Sequence, residues 1–201
     1  GAAVVTYNLA PTARSQLVAA LQPYTEYTIR VQATTADVSK NSFFSEEALD
    51  TDSALVRTLP SAPGAPQSVT AVGSGETVQL NFEQPSSNGA AITLYEVKTY
   101  AADGTLTSVN YTSLTSYLAK ALAYNTSYSF ELRAQNARGW GQSVNISAAT
   151  LALRCDTPTM QRVAKSNITT ESIAVSWAKP VNERGSQVLR YFLEVKSAGI
   201  Q

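Results

Sequence analysis

Between residues 127 and 136 the chain alternates with a period of two. Tyr128, Phe130, Leu132 and Ala134 are apolar or small, and Ser129, Glu131 and Arg133 between them are polar. Successive side chains of an extended strand point to opposite faces, so this pattern describes a strand with one buried and one wet face. A turn at 124–127 leads into it, and Gly139 and Gly141 beyond Asn136 permit a tight reversal. The same signal occurs 101 residues earlier, where Leu21, Thr25, Tyr27 and Ala33 match Leu122, Thr126, Tyr128 and Ala134. A strand signature that returns at this distance marks a chain of repeated β-domains. No helical pattern of useful length interrupts it.

Three pieces of sequence carry a resemblance. Leu-x-Pro-x-Thr-x-Tyr at 21–27, Val-x-Ala at 31–33 and Asn-x-x-Gly-x-Gly-x-Ser at 136–143 resemble the E–F turn, strand F and F–G loop of a fibronectin type III repeat. The resemblance implies an all-β fold of tandem immunoglobulin-like sandwiches, with Tyr27 and Tyr128 at the tyrosine corner. It extends over essentially the whole chain in unequal pieces. It implies a scaffold and not an activity, since this architecture serves many uses.

At 201 residues the chain holds about two sandwiches of roughly 100 residues each. Residues 1–59 read as the C-terminal part of a first repeat, with strands expected at 4–7, 15–21, 27–33 and 54–59. Residues 60–66 carry three prolines and read as an extended, semi-rigid linker. Residues 62–152 read as a complete repeat, with strands at 69–72, 77–82, 92–100, 106–111, 117–122, 128–134 and 143–150. Phe82 faces its core, and turns are expected at 85–89 and 103–104. Residues 155–201 restart the pattern as the N-terminal part of a third repeat, with strands at 173–177 and 191–195. Trp177 takes the core place that Phe82 fills in the middle repeat. Each end piece alone exposes half a core. Completion by a longer parent chain is expected, with completion between copies as the alternative.

The first repeat needs 31 residues from Tyr27 to Thr58 where the second needs 22 from Tyr128 to Thr150. The extra length falls around 37–52, where Phe43 and Phe44 lie beside Glu46, Glu47, Asp50 and Asp52. This reads as a decorated surface loop, with Phe43 and Phe44 as candidate partner contacts. Trp140 and Arg138 lie in the F–G loop and form the second candidate pair, since aromatics with arginine anchor interfaces. The alternative for Trp140 is that it folds back over its own sheet.

Chemistry is bounded by what the chain lacks. There is no histidine and one cysteine, so no Ser-His or Cys-His couple and no internal disulfide can be built. The acids show no paired spacing, and no glycine-rich phosphate loop precedes a helix. No enzymatic activity, metal or cofactor is expected. Fifteen basic and fifteen acidic residues cancel, which gives no footprint for nucleic acid or an anionic membrane. No apolar run approaches the roughly 18 residues of a helical span. The first residues have neither the basic region nor the apolar core of a signal peptide, which carries little weight in a chain that starts within a domain.

Four sequons, at Asn110, Asn125, Asn145 and Asn167, modestly exceed the roughly two that chance gives. Asn110, Asn125 and Asn167 are expected in turns. Asn145 is expected to point away from Val144 and Ile146, and Asn125 reads as the best acceptor. An extracellular or cell-surface location follows, in which Cys155 is an odd thiol. The function read from these features is a non-catalytic adhesive or spacer segment of a larger protein, working through protein partners or neighbouring domains. The alternatives are an intracellular cytoskeletal or ciliary scaffold, or an accessory module of a receptor or secreted enzyme.

Overall fold

The computed structural model describes residues 5–38, 41–45, 55–164 and 167–197. The chain divides into two units, Gly1–Ser61 and Ala62–Gln201.

In the first unit, β1 (Glu26–Tyr27) and β2 (Val56–Arg57) pair antiparallel. Beyond them the Ser42 and Ser45 N–H groups donate to the carbonyls of Ala33 (3.0 Å) and Val31 (2.9 Å). The strand expected at 27–33 therefore contracts to its start, and the one at 54–59 to two residues. Among the described residues of 5–25 no strand forms; residues 4 and 54 lie outside the described ones. The physical reason is pairing. A strand persists through its ladder, and the serine hydroxyls of Ser42 and Ser45 accept the Ala33 and Val31 N–H groups in place of a neighbouring strand. Leu17 and Val31 stay exposed.

The second unit contains a sandwich. One sheet joins β3 (Gln67–Ser74), β4 (Thr77–Glu83) and β7 (Ser116–Ala119). The other runs β10 (Val144–Ala149), β8 (Ser127–Asn136), β5 (Ile92–Ala101) and β6 (Leu106–Thr112), with β9 (Gly139–Trp140) beside β8. Every pairing in both sheets is antiparallel. The alternation read from sequence decides which faces meet. Tyr128, Phe130, Leu132 and Ala134 of β8 and Tyr95 and Val97 of β5 pack against Val78, Leu80 and Phe82 of β4. Phe82 and Tyr95 meet edge to face at 4.9 Å, a favoured aromatic geometry.

At Gly73 the backbones of β3 and β10 lie close together. A Cβ there would lie 1.8 Å from the Ala149 carbonyl oxygen, so no side chain fits. The reversal between β8 and β9 has Gly139 at φ 118°, a conformation that glycine adopts most readily. Asn110 departs from the sequence expectation. It lies inside β6 opposite Val97, half-buried, and not in a turn. The strand expected at 106–111 is present as β6, held by the β5 ladder, and it takes in Asn110.

Beyond the sandwich, β11 (Thr159–Met160) pairs with β12 (Trp177–Ala178), and Ile168 bridges Ile173. The strand expected at 173–177 is present only at its end, and none forms at 191–195. Trp177 is half-buried, covered by Tyr191 at 5.5 Å, and not the enclosed core residue expected. Phe192 and Val195 are exposed.

A knot of hydrogen bonds fixes the entry into β8. Tyr128 Oη accepts the Ala123 N–H (3.0 Å), and the Thr150 hydroxyl donates to the Ala123 carbonyl (2.6 Å) while accepting the Thr126 N–H (2.9 Å). Thr150 N–H donates to the Thr126 carbonyl (2.9 Å), and the Thr126 hydroxyl to the Tyr124 carbonyl (2.8 Å). The first unit repeats this bond for bond. Gln22 N–H donates to Tyr27 Oη (2.8 Å), the Thr58 hydroxyl to the Gln22 carbonyl (2.6 Å), and Thr25 N–H to Thr58 Oγ1 (2.9 Å). Thr58 N–H reaches the Thr25 carbonyl (3.1 Å) and the Thr25 hydroxyl the Pro23 carbonyl (2.9 Å). The left-handed residues match too: Ala20 and Tyr24 (φ 59° and 49°) correspond to Ala121 and Asn125 (φ 56° and 47°).

Tyr128→Phe leaves the Ala123 N–H without its acceptor and is expected to cost about 1–3 kcal/mol. Thr150→Val removes a donor and an acceptor together and is expected to cost at least as much. Urea unfolding followed by tryptophan fluorescence measures both, and unchanged midpoints would show that the knot does not hold the fold.

Candidate functional site

The outer face of the β10–β8–β5–β6 sheet carries the densest polar chemistry of the sandwich. Register sets it up: Glu96 of β5 stands opposite Arg133 of β8 on one side and Tyr111 of β6 on the other. Lys98 stands opposite Glu131, and Trp140 of β9 opposite Gln135. Arg133 Nε donates to Glu96 Oε2 at 2.6 Å, and Lys98 Nζ lies 3.5 Å from the same oxygen and 3.7 Å from Glu131. Tyr111 Oη donates to Glu96 Oε1 (3.3 Å) and Tyr100 Oη to Glu131 Oε2 (2.8 Å). The Arg133 guanidinium lies over the Trp140 ring, 4.6 Å from its centroid, with the Tyr111 ring 6.3 Å from that of Trp140.

These contacts leave Glu96 only 5% exposed. Burial opposes its charge, but the Arg133 hydrogen bond and the charges of Arg133 and Lys98 outweigh it and hold the carboxyl below the usual range. The Tyr100 hydrogen bond similarly lowers Glu131, and the Glu96 hydrogen bond raises Arg133. Both carboxylates are therefore ionised at neutral pH, and neither holds a proton for acid catalysis. What the arrangement can do is present a fixed pattern of charge and aromatic surface.

Trp140 is half-buried and folds back over its own sheet, while Arg138 is exposed. In the other unit Phe43 is 97% exposed and Phe44 largely so; Glu46, Glu47, Asp50 and Asp52 lie outside the described residues. Asn125, Asn145 and Asn167 are exposed. Tyr27 and Tyr128 hold their corners as described, and Phe82 is buried. Cys155 is half-buried and free. Among the described residues no group of His, Cys, Asp or Glu could hold a metal ion.

Three residues were not among the candidate site residues read from the sequence. Glu96 and Arg133 are visible there only as polar positions of alternating strands, and their pairing depends on register. Asn136 is buried, with Nδ2 donating to the Ser87 carbonyl (2.9 Å) and Oδ1 accepting the Arg138 N–H (2.8 Å). It ties the F–G turn to the loop after β4.

A carboxylate held below its ordinary pKa stabilises the fold above the unfolded value, about 4.3 for Glu, and this stabilisation is lost as pH falls through the folded value. Glu96→Gln is expected to lower stability at pH 7 and to shrink the further loss on acidification to pH 3. Urea midpoints for both proteins at the two pH values measure this. Equal acid losses in the two proteins would remove Glu96 from the account.

A family model for the fibronectin type III domain matches residues 64–150. Similar solved structures include domains d3-d4 of the rat CD45 extracellular region, at 22% identity and TM-score 0.48 over 75% of this chain and 77% of that one. The chicken CNTN1 FN1-FN3 domains are similar at 21% identity and TM-score 0.40, over 65% of this chain and 44% of that one. The sixth fibronectin type III domain from human fibronectin type III domain containing protein 3 is similar at 23% identity and TM-score 0.43, over 48% of this chain and 93% of that one. The chain thus spans less than half the length of the chicken structure. The matched residues 64–150 take in the sandwich from the start of β3 to the end of β10, and it is this module that the fibronectin type III domain model describes.

Proposed function

We propose that the chain is a non-catalytic spacer or adhesive segment of a larger multidomain protein, built from a complete fibronectin type III module at 62–152, parts of two others at 1–59 and 155–201, and a proline-rich linker at 60–66. The repeated knot at 22–58 and 123–150 is the observation that carries this reading. A second local repeat supports it on the other side. Asn88-Gly89 and Arg184-Gly185 are both left-handed. The Gly64 and Asp156 N–H groups donate to the Ser86 and Asn182 carbonyls at 3.0 and 3.1 Å. The strand-entry turn is thus built twice, and so is the turn that receives the linker.

The sandwich has the geometry of a spacer. Pro63, just before β3, lies against Gly141, just before β10, while Gly73 near the end of β3 lies against Ala149 at the end of β10. The chain therefore enters the module at one pole and leaves it at the other. Tension between the ends pulls β3 and β10 along their own axes, loading the ladders to β4 and β8 in shear. Each ladder holds six register pairs. Phe43, Phe44, Arg138 and Trp140 are the proposed partner contacts, since an exposed aromatic or an aromatic beside arginine suits protein recognition. The exposure of Asn125, Asn145 and Asn167 supports use outside the cell or at its surface.

Pulling the chain from its ends in an atomic force instrument tests the mechanical reading. Unfolding of residues 64–150 is expected as one cooperative event releasing about 300 Å of contour length. Smooth extension without a force peak would sink it. Glycans on protein purified from its natural source support the location, and bare asparagines at all four sequons would overturn it.

A further inference from the structure

The two linkers of the chain are made differently. Residues 60–66 carry three prolines, whereas 151–157 carry neither proline nor glycine. Proline stiffens an extended connection by itself, but a short run of ordinary residues fixes no direction. Beyond the sandwich, contact takes over this task. The Leu153 and Asp156 N–H groups donate to the Arg184 and Asn182 carbonyls (3.0 and 3.1 Å), and Arg184 Nη2 lies 2.8 Å from Asp156 Oδ1. These bonds join the linker and the 182–185 turn into one piece, which rests on the sandwich at Tyr124. A Cβ on Gly185 would lie 2.9 Å from Tyr124 Cβ and 2.8 Å from Asn125 Cβ, so no side chain fits there. At the Tyr124 ring, Leu153 lies over Gly75. A Cβ on Gly75 would be 3.1 Å from Leu153 Cδ1 and 3.8 Å from Tyr124 Cε1. One glycine of the sandwich and one beyond it thus both flank Tyr124. Loss of solvent, and then a hydrogen bond to Glu76, raise the Tyr124 phenol above its usual range, and the charges of Arg184 and Asp156 also reach it.

We propose that Tyr124 is the seat of a rigid joint, on which Leu153 and the 182–185 turn close so that the segment beyond the sandwich keeps one orientation to it. The inference rests on the spacer reading above and deepens it: one linker is stiffened by proline and the other by docking. The Arg184–Asp156 pair does not supply the stiffness. Both side chains are more than a third exposed, where ion pairs contribute little, and the pair lies within one piece instead of across the contact. Fit supplies it. Gly75 at φ 48° and Gly185 at φ 81° leave the space that Leu153 and Tyr124 occupy, and a side chain at 185 must push the turn off the corner.

Amide-nitrogen relaxation of the full chain tests the joint without force, so its failure is separate from that of the pulling experiment, which reads residues 64–150. Referred to the tumbling of the sandwich, the amides of 182–186 are expected to show order parameters of about 0.85, the value of rigid backbone. Two variants are expected to lower them below about 0.6 while the amide spectrum of 64–150 keeps its dispersion. Tyr124→Ala removes the seat but keeps the carbonyl that accepts the Thr126 hydroxyl. Gly185→Asn fills the contact with a residue that tolerates the left-handed region. The Ser186 N–H, which donates to the Glu183 carbonyl at 3.0 Å, should stay protected from exchange in Gly185→Asn, since the turn itself is intact. Three results overturn the proposal: a turn already loose in the unsubstituted chain, a turn that loosens in fewer than both variants, or loss of Ser186 protection. The last would place the cause in turn strain and not in the contact.

Discussion

The sandwich depends on β8 holding its register between β5 and β10. Phe130 and Leu132 are completely enclosed on one face, while Glu131 and Arg133 on the other meet Lys98 and Glu96. A slip of one residue would exchange these faces, placing two charges in the core and two large apolar groups outside. The register is tied at both ends. Tyr128 and Thr150 fix the start through the Ala123 and Thr126 backbone, and Asn136 ties the far end to Ser87. Neutral hydrogen bonds of this kind contribute about 1 kcal/mol each. Their greater effect is to remove the alternatives.

The same knot in the first unit shows how much of it is local. It forms around Tyr27 and Thr58 although, among the described residues, two on each side make a strand pair. Its members lie within a short turn and one returning strand, so it needs no second sheet. Strand length does need one. β8 runs ten residues with partners on both sides, whereas β1 runs two with a single partner. Local chemistry builds the turn, and lateral pairing builds the strand.

This division explains what could be read from the sequence. Alternation located all the long strands of the sandwich to within a few residues, because each has one dry face. It over-extended the end segments, since a pattern cannot report whether a partner strand is present to pair with it. It placed a strand over 106–111 while the sequon at Asn110 was read as a turn, and the ladder to β5 decides for the strand. The Glu96–Arg133–Trp140 cluster was not legible. Its members come from β5, β8 and β9, and only register brings them together. Thr58 and Thr150 were legible as matched positions at the ends of the two repeats, but not as the centre of five hydrogen bonds.

The outer-face cluster raises a question of energetics. An ion pair buried this far contributes little net stability, since desolvation offsets much of the attraction. Removing one partner is nevertheless costly, because the other charge is left enclosed. Glu96 meets three donors, from Arg133, Lys98 and Tyr111, and the Arg133 guanidinium stacks on the Trp140 ring. Each group is therefore held by neighbours on different strands. A sheet with only hydrophobic groups on this face would tolerate sliding between strands far better. Here, sliding β6 or β8 by two residues preserves the inside-outside pattern but separates Glu96 from its partners. The charged face thus excludes the two-residue slips to which the alternating core is blind, and core and surface between them specify a single register.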